Sequence, residues 1–352
     1  MKKVLIILML CLLLPVNVCA YEIVQMEGED RFNETVEEVV EGDFSLDISE
    51  IFNFLSELIL GEIRNTASDI AVLLVIAAMS GTVNALTGAF GDKGGGEAAF
   101  FACFTLMSTA ALRCFNTSLE YGVSVIDSMS VFINKLSPIL MIALIASGKV
   151  TSASAFSPVF STAVYVISII LRSCLVPLLC FSAVLSVAGN INTKMQISNF
   201  TRVVRSVSKW LMAAVITVFT GISAVYGFSA PALDAVGAKA VKFAVGSMVP
   251  VVGSFLSDSL ETVITGTRLM KNAVGVSGMV VMCIICITPI VKIAIMQLML
   301  KLTASLVEPF TDRRISKMLW EISESVVTVF ALVVMTAVLF LVSIGILLTA
   351  TS

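Results

Sequence analysis

Apolar residues recur every three or four positions early in the chain: Ile48, Ile51, Phe52, Leu55, Leu58, Ile59 and Ile63 share one side of a helical wheel, and Glu50, Asn53, Glu57 and Arg64 take the other. That period predicts an amphipathic helix, and Asp47 with Glu50 three residues on suits its start. Beyond it the polar side fades. Apolar stretches at residues 69–90, 98–117 and 123–146 are each long enough to cross a ~30 Å hydrocarbon core at about 1.5 Å per residue. A Gly-rich turn, Gly91-Asp92-Lys93-Gly94-Gly95-Gly96-Glu97, predicts that the first two form a hairpin. The apolar block 156–188, interrupted by Arg172 and Pro177, is too long for one straight span. It reads either as a tilted, kinked helix or as two short helices turning near Arg172. Further spans are expected at 211–228, 273–295 and 326–349.

Two stretches are amphipathic rather than wholly apolar. Within residues 238–271, Val245, Met248, Val252, Leu256, Leu260 and Val263 follow helical spacing, while Ser247, Ser254, Asp258, Glu261, Thr265 and Arg268 line the other side. This predicts a helix lying in the membrane interface, or a re-entrant segment broken near Pro250 and Gly253 whose polar side borders water. After Pro309, Ile315, Met318, Leu319 and Ile322 oppose Arg314, Lys317, Glu321 and Glu324, with Trp320 between them. The expectation there is a surface-lying cytoplasmic helix, with Lys317 and Glu321 spaced as an i,i+4 pair.

Charge divides the chain. Lys2 and Lys3 precede an apolar run from Val4 to Leu14, then Pro15 and a Val18-Cys19-Ala20 end. This is the pattern of a secretory signal cut after Ala20, with an uncleaved membrane helix as the alternative. Residues 21–69 hold 14 of the 25 acidic residues against only Arg31 and Arg64. The domains expected are therefore a signal at 1–20, an acidic extracytoplasmic leader with its amphipathic helix at 21–68, and a multi-span membrane domain at 69–352. The segment 190–209 carries Lys194, Arg202, Arg205 and Lys209 and no acid, which assigns it to the cytoplasm. With both termini outside the number of spans is even, which favours a hairpin at 156–188 and a count of eight; a single helix there would give seven. Composition agrees with the pattern: 58% of residues are hydrophobic, 13% are charged and the mean hydropathy is +1.01, against roughly 25% charged in soluble domains. The fold class expected is an all-α, polytopic integral membrane helical bundle with amphipathic interfacial or re-entrant helices.

The candidate chemistry is sparse. Histidine is absent from the chain, which removes the commonest general base and metal ligand, and no carboxylate pair or activated nucleophile stands out by spacing. No enzyme, metal site or cofactor is expected. Cys283 and Cys286 form a C-x-x-C inside a run of Val, Met and Ile, where they read as small core hydrophobes. Neither the Gly-rich turn nor Ser147-Gly148-Lys149-Val150-Thr151 completes a nucleotide-binding loop, and no basic soluble surface exists for nucleic acid. What remains is charge inside apolar stretches. Asp127, Lys135 and Arg172 are candidate pore-lining or helix-pairing residues, since each is costly in a span unless it faces protein or water. Asp258, Glu261 and Arg268 join them if 238–271 borders a path. Ser223 with Gly227, and Gly275 with Gly278, would let helices approach closely.

The stretch Val241-Lys242-Phe243-Ala244-Val245-Gly246-Ser247-Met248-Val249-Pro250-Val251-Val252-Gly253, with Asp258 and Glu261 downstream and then Leu269-Met270-Lys271-Asn272-Ala273-Val274-Gly275, resembles the stage III sporulation protein AE family. Its motif positions here are Lys242, Gly246, Pro250, Gly253, Asp258, Lys271, Asn272 and Gly275. The resemblance extends to the overall plan of signal, acidic leader and multi-span domain. It implies a mother-cell protein of the outer forespore membrane, part of a channel or secretion-like complex with other stage III subunits, a separate ATPase and a forespore membrane partner. It supplies no catalytic residue. A stand-alone secondary transporter, which usually shows repeated halves, and a structural assembly platform without a pore are the alternatives.

Overall fold

In a computed structural model the backbone is described for residues 48–90, 93–146, 162–191, 199–222, 224 and 253–349. The signal, most of the acidic leader and the motif residues Lys242, Gly246 and Pro250 lie outside the described residues. Those described are helical throughout, apart from the turn at 308–312. Six helices follow in order: α1 (Ile48–Phe90), α2 (Lys93–Ala146), α3 (Thr162–Ile191), α4 (Asn199–Ile222), α5 (Gly253–Val307) and α6 (Arg313–Thr349). All six contain a stretch long and apolar enough to cross a membrane. The protein is an all-α, multi-pass membrane protein.

Long continuous helices replace several expected breaks. Residues 98–117 and 123–146 are not separate spans but parts of α2, 54 residues long and therefore about 81 Å. Nothing between them interrupts the helix, which is continuous over Lys93–Ala146; the Ser118 Oγ hydroxyl donates to Cys114 O at 2.9 Å, and Gly122 packs against Val329 and Val333. The Gly-rich turn contracts likewise, because α2 begins at Lys93 and takes Gly94–Gly96 into its first turn. The amphipathic stretch at 48–63 continues into the apolar stretch 69–90 as α1.

The block 156–188 is not a hairpin. Its described part is the single helix α3, widened into one π turn at Leu171–Leu175. Pro177 has no N–H to give the turn before it, and the Val176 N–H bonds to Leu171 O instead. The extra residue is absorbed without a break. With these fusions the described residues hold six candidate spans rather than eight.

The expectation of a surface-lying helix at 314–324 is corrected too. Ile315, Met318, Leu319 and Ile322 are fully buried, and the stretch is the first part of α6. From Gly253 onward, the segment read as interfacial or re-entrant is the start of α5 and runs without a break into the span.

α6 is the central helix. Ile315, Ile322, Val326, Val329, Val333, Phe340 and Ile344 are buried along its length, at the three- and four-residue spacing that puts them on one side. The tight α5–α6 turn is built locally. Pro309 follows the last helical residues of α5, Phe310 and Thr311 N–H groups bond to Val307 O at 3.0 and 3.1 Å, and Asp312 Oδ1 accepts from the Arg314 N–H at 2.9 Å. That last contact is an N-cap, placed where helix α6 has orphan donors.

α2 and α5 lie antiparallel in a constant register, with Leu136 against Gly278, Met129 Sδ 3.8 Å from Cys286 Sγ, Lys292 over the Tyr121 ring at 4.9 Å and Ser118 Oγ 3.6 Å from Met296 Sδ. Gly278 suits this approach, since a methyl group there would sit 2.7 Å from Leu136 Cδ2 and the leucine side chain would have to shift. Gly81 of α1 meets the carbonyl of Phe310, and Arg314 lies 5.1 Å over the Phe100 ring. The start of α2, the end of α3, the start of α4 and the α5–α6 turn thus meet at one end of the bundle.

A charge pair and a polar network between the helices

Two of the charges singled out from sequence come together. Arg172 Nη1 donates to Asp127 Oδ1 at 3.0 Å, joining α3 to α2. The π turn contains Arg172, and one turn before it Ser168 Oγ lies 2.9 Å from Ser130 Oγ. Both hydroxyls also bond back to their own helices, Ser130 to Ile126 O at 2.6 Å and Ser168 to Val164 O at 2.9 Å. A polar seam therefore runs between two antiparallel spans. The pair is asymmetric: the Asp127 side chain is 23% exposed and that of Arg172 is 65% exposed. Lys135 sits two turns further along α2 on the same outward side. Asp258, Glu261 and Arg268 belong to the first turns of α5, and their side chains lie outside the described residues.

A family model described as stage III sporulation protein AE matches residues 31–351. The chain belongs to that family. It is similar to the stage III sporulation protein AE of Bacillus subtilis (strain 168), 26% identical over 313 residues, which is 89% of this chain and 78% of that relative. No solved structure matches the chain. Family membership supports a role in sporulation, and the match takes in all six helices. Of the family motif positions, Gly253 opens α5, and Gly275 is buried one turn before the α2 contact at Gly278.

Toward the α5–α6 turn lies a second polar group that periodicity does not reveal. Asn190 Nδ2 donates to Glu321 Oε2 at 2.9 Å and to Ser186 O at 2.7 Å. Arg205 Nη2 donates to Glu321 O at 2.9 Å and to Ser325 Oγ at 3.4 Å. Ser182 Oγ and Ser325 Oγ stand 3.5 Å apart. Three helices, α3, α4 and α6, are tied by groups that would each be costly alone in an apolar setting. The expected Lys317–Glu321 pair is present at 3.8 Å. Alongside it Lys301 closes the α5–α6 hairpin, 2.9 Å from Glu324 Oε1 and 5.5 Å over the Trp320 ring. In the sequence Arg205 signals only topology, and Asn190 carries no signal beyond being polar at the end of an apolar block.

The cysteines follow the packing. Cys286 is buried against Met129, and Cys283 three residues earlier is exposed.

Proposed function

We propose that this protein is a non-enzymatic membrane subunit of a channel or secretion-like complex that connects mother cell and forespore during endospore development. In this reading it sits in the outer forespore membrane and works with other stage III subunits, a separate ATPase and a partner in the forespore membrane. Family membership supports the process. The subunit role rests on Arg172. Its guanidinium spends one N–H on Asp127 and leaves most of its side chain facing outward from the chain. It stands ten residues inside the nearer end of α3, about 15 Å along the axis, and is flanked by exposed Tyr165, Val166 and Ile169. A charge at that depth, away from a helix end where it could snorkel, is stable only against protein or water. A chain built this way is complete in an assembly.

The test is affinity purification of the full-length tagged protein from sporulating cells after engulfment. The expected result is co-purification of an ATPase without spans and of at least one further membrane protein. Arg172→Gln should lower their recovery several-fold and Arg172→Lys should retain it. A chain that purifies alone, from cells in which Arg172→Gln still gives full counts of heat-resistant spores, overturns the reading.

A further inference from the structure

The outward side of α2 is polar over a length that matches a bilayer. Its inward side, with Phe115, Ile126, Met129, Ile133 and Leu136, is buried. On the other side Arg113, Glu120 and Asn134 are exposed, and Asn116 and Asp127 are partly so. Arg113, Glu120, Asp127 and Asn134 recur every seven residues, two helical turns, and so form one row. From Arg113 to Lys135 the row covers about 33 Å, the thickness of a ~30 Å hydrocarbon core.

Lipid cannot cover such a row. Amphipathic helices with an outward polar side are ordinary in water, but in a span that side has to meet protein or an aqueous path.

We infer that the outward row of α2, from Arg113 to Lys135, lines a water-filled lumen closed by further copies of this chain. The inference deepens the subunit reading given above and rests on it. Two features point to copies rather than to a foreign helix. The first is charge. Along the axis the row carries Arg113, then Glu120, then Asp127 held by Arg172, then Lys135, so both signs are present and nearly balance. Around a symmetric axis each becomes a ring of like charges, and the repulsion within the positive ring of Arg113 is offset by the negative ring of Glu120 about 10 Å along the axis. Rings of charged side chains facing water are how many pores are lined.

The second is register. One chain supplies one wall, and closing a lumen requires further walls with polar groups at the same depths. Identical copies in a closed ring meet that requirement automatically, because symmetry repeats each residue at its own level.

The experiment uses the full-length protein alone, reconstituted in vesicles, with native cysteines replaced and single cysteines placed by Asn116→Cys, Glu120→Cys and Asn134→Cys. Val218→Cys and Leu298→Cys are comparisons, since both residues are exposed and apolar on other helices. A charged, membrane-impermeant thiol reagent is added, and two differently tagged versions are co-reconstituted and retrieved through one tag. The expected result is reaction at the three row positions at least tenfold faster than at Val218→Cys and Leu298→Cys, with both tags retrieved together. Row positions as unreactive as the two comparisons overturn the lumen. Reactive row positions in a chain that retrieves only its own tag overturn the closure by copies. Because no other subunit is present, either failure leaves the co-purification test of the subunit reading standing on its own result.

Discussion

Asn190 Nδ2 and Glu321 Oε2 lie 2.9 Å apart, and through this contact the end of α3 holds the carboxylate of α6. Glu321 also accepts at its backbone oxygen from Arg205, so the three helices share one polar node. Removing a partner from a partly buried carboxylate typically costs about 1–3 kcal/mol. Asn190→Ala should therefore lower the thermal unfolding temperature of the detergent-solubilised protein. Asn190→Asp, which sets a like charge against Glu321, should lower it further. Equal temperatures for the two variants and the parent would show that the node contributes nothing.

The Asp127–Arg172 pair should be energetically coupled rather than merely adjacent. Asp127→Asn and Arg172→Gln are each expected to reduce heat-resistant spore counts. The double variant should fall by less than the sum of the two effects, because each single change leaves one intramembrane charge without its partner. Strict additivity of the two losses, on a logarithmic scale of spore counts, would argue that the two side chains act separately.

Close helix approach makes a sharper prediction for glycines. At Gly278 a side chain would meet Leu136, and at Gly122 a methyl group would lie 3.1 Å from Val329 Cγ1. Gly278→Val and Gly122→Val should each destabilise by about 1–3 kcal/mol through overpacking. Gly345→Ala has nothing within 4 Å and should be neutral or stabilising by up to about 1 kcal/mol, because alanine loses less backbone freedom than glycine on entering a helix. Denaturation midpoints of the three purified variants decide this, and a Gly345→Ala variant as damaged as the other two would contradict the packing described.

Lys301 has two contacts, with Glu324 and with the face of Trp320, yet its side chain and that of Glu324 keep about a third or a quarter of their exposure, at 31% and 26%. Such a pair contributes about 0.2–1 kcal/mol. Glu324→Gln should therefore cost less than about 1 kcal/mol and Lys301→Met slightly more, since it also removes the charge over the indole ring. Unfolding measured at low and high salt should show the Glu324→Gln difference shrinking as screening increases.

Much of the fold is legible in the order of the amino acids. Apolar stretches of spanning length and low charge dictate helices in a membrane, because a bilayer leaves backbone groups no other partners. The polar side of residues 314–324 is legible as well, and the buried side chains Ile315, Met318, Leu319 and Ile322 are the ones the period selects. Asp127 and Arg172 stand out in the same way, as charges in need of company.

What periodicity does not supply is where a helix stops and what stands beside it. α2 runs on through Ser118–Gly122, and there Gly122 meets Val329 and Val333, some two hundred residues away in sequence. Pro177 reads as a break, yet a π turn carries α3 past it, with Leu171 and Leu175 of that turn buried in the core. The same holds for the charges: their cost is readable from local composition, but the pairing of Asp127 with Arg172, and of Asn190 with Glu321, is a relation between distant helices. Local pattern determines which side of a helix is apolar; only the antiparallel registers of α2, α3, α5 and α6 determine which polar groups meet, because that depends on how whole helix surfaces fit together.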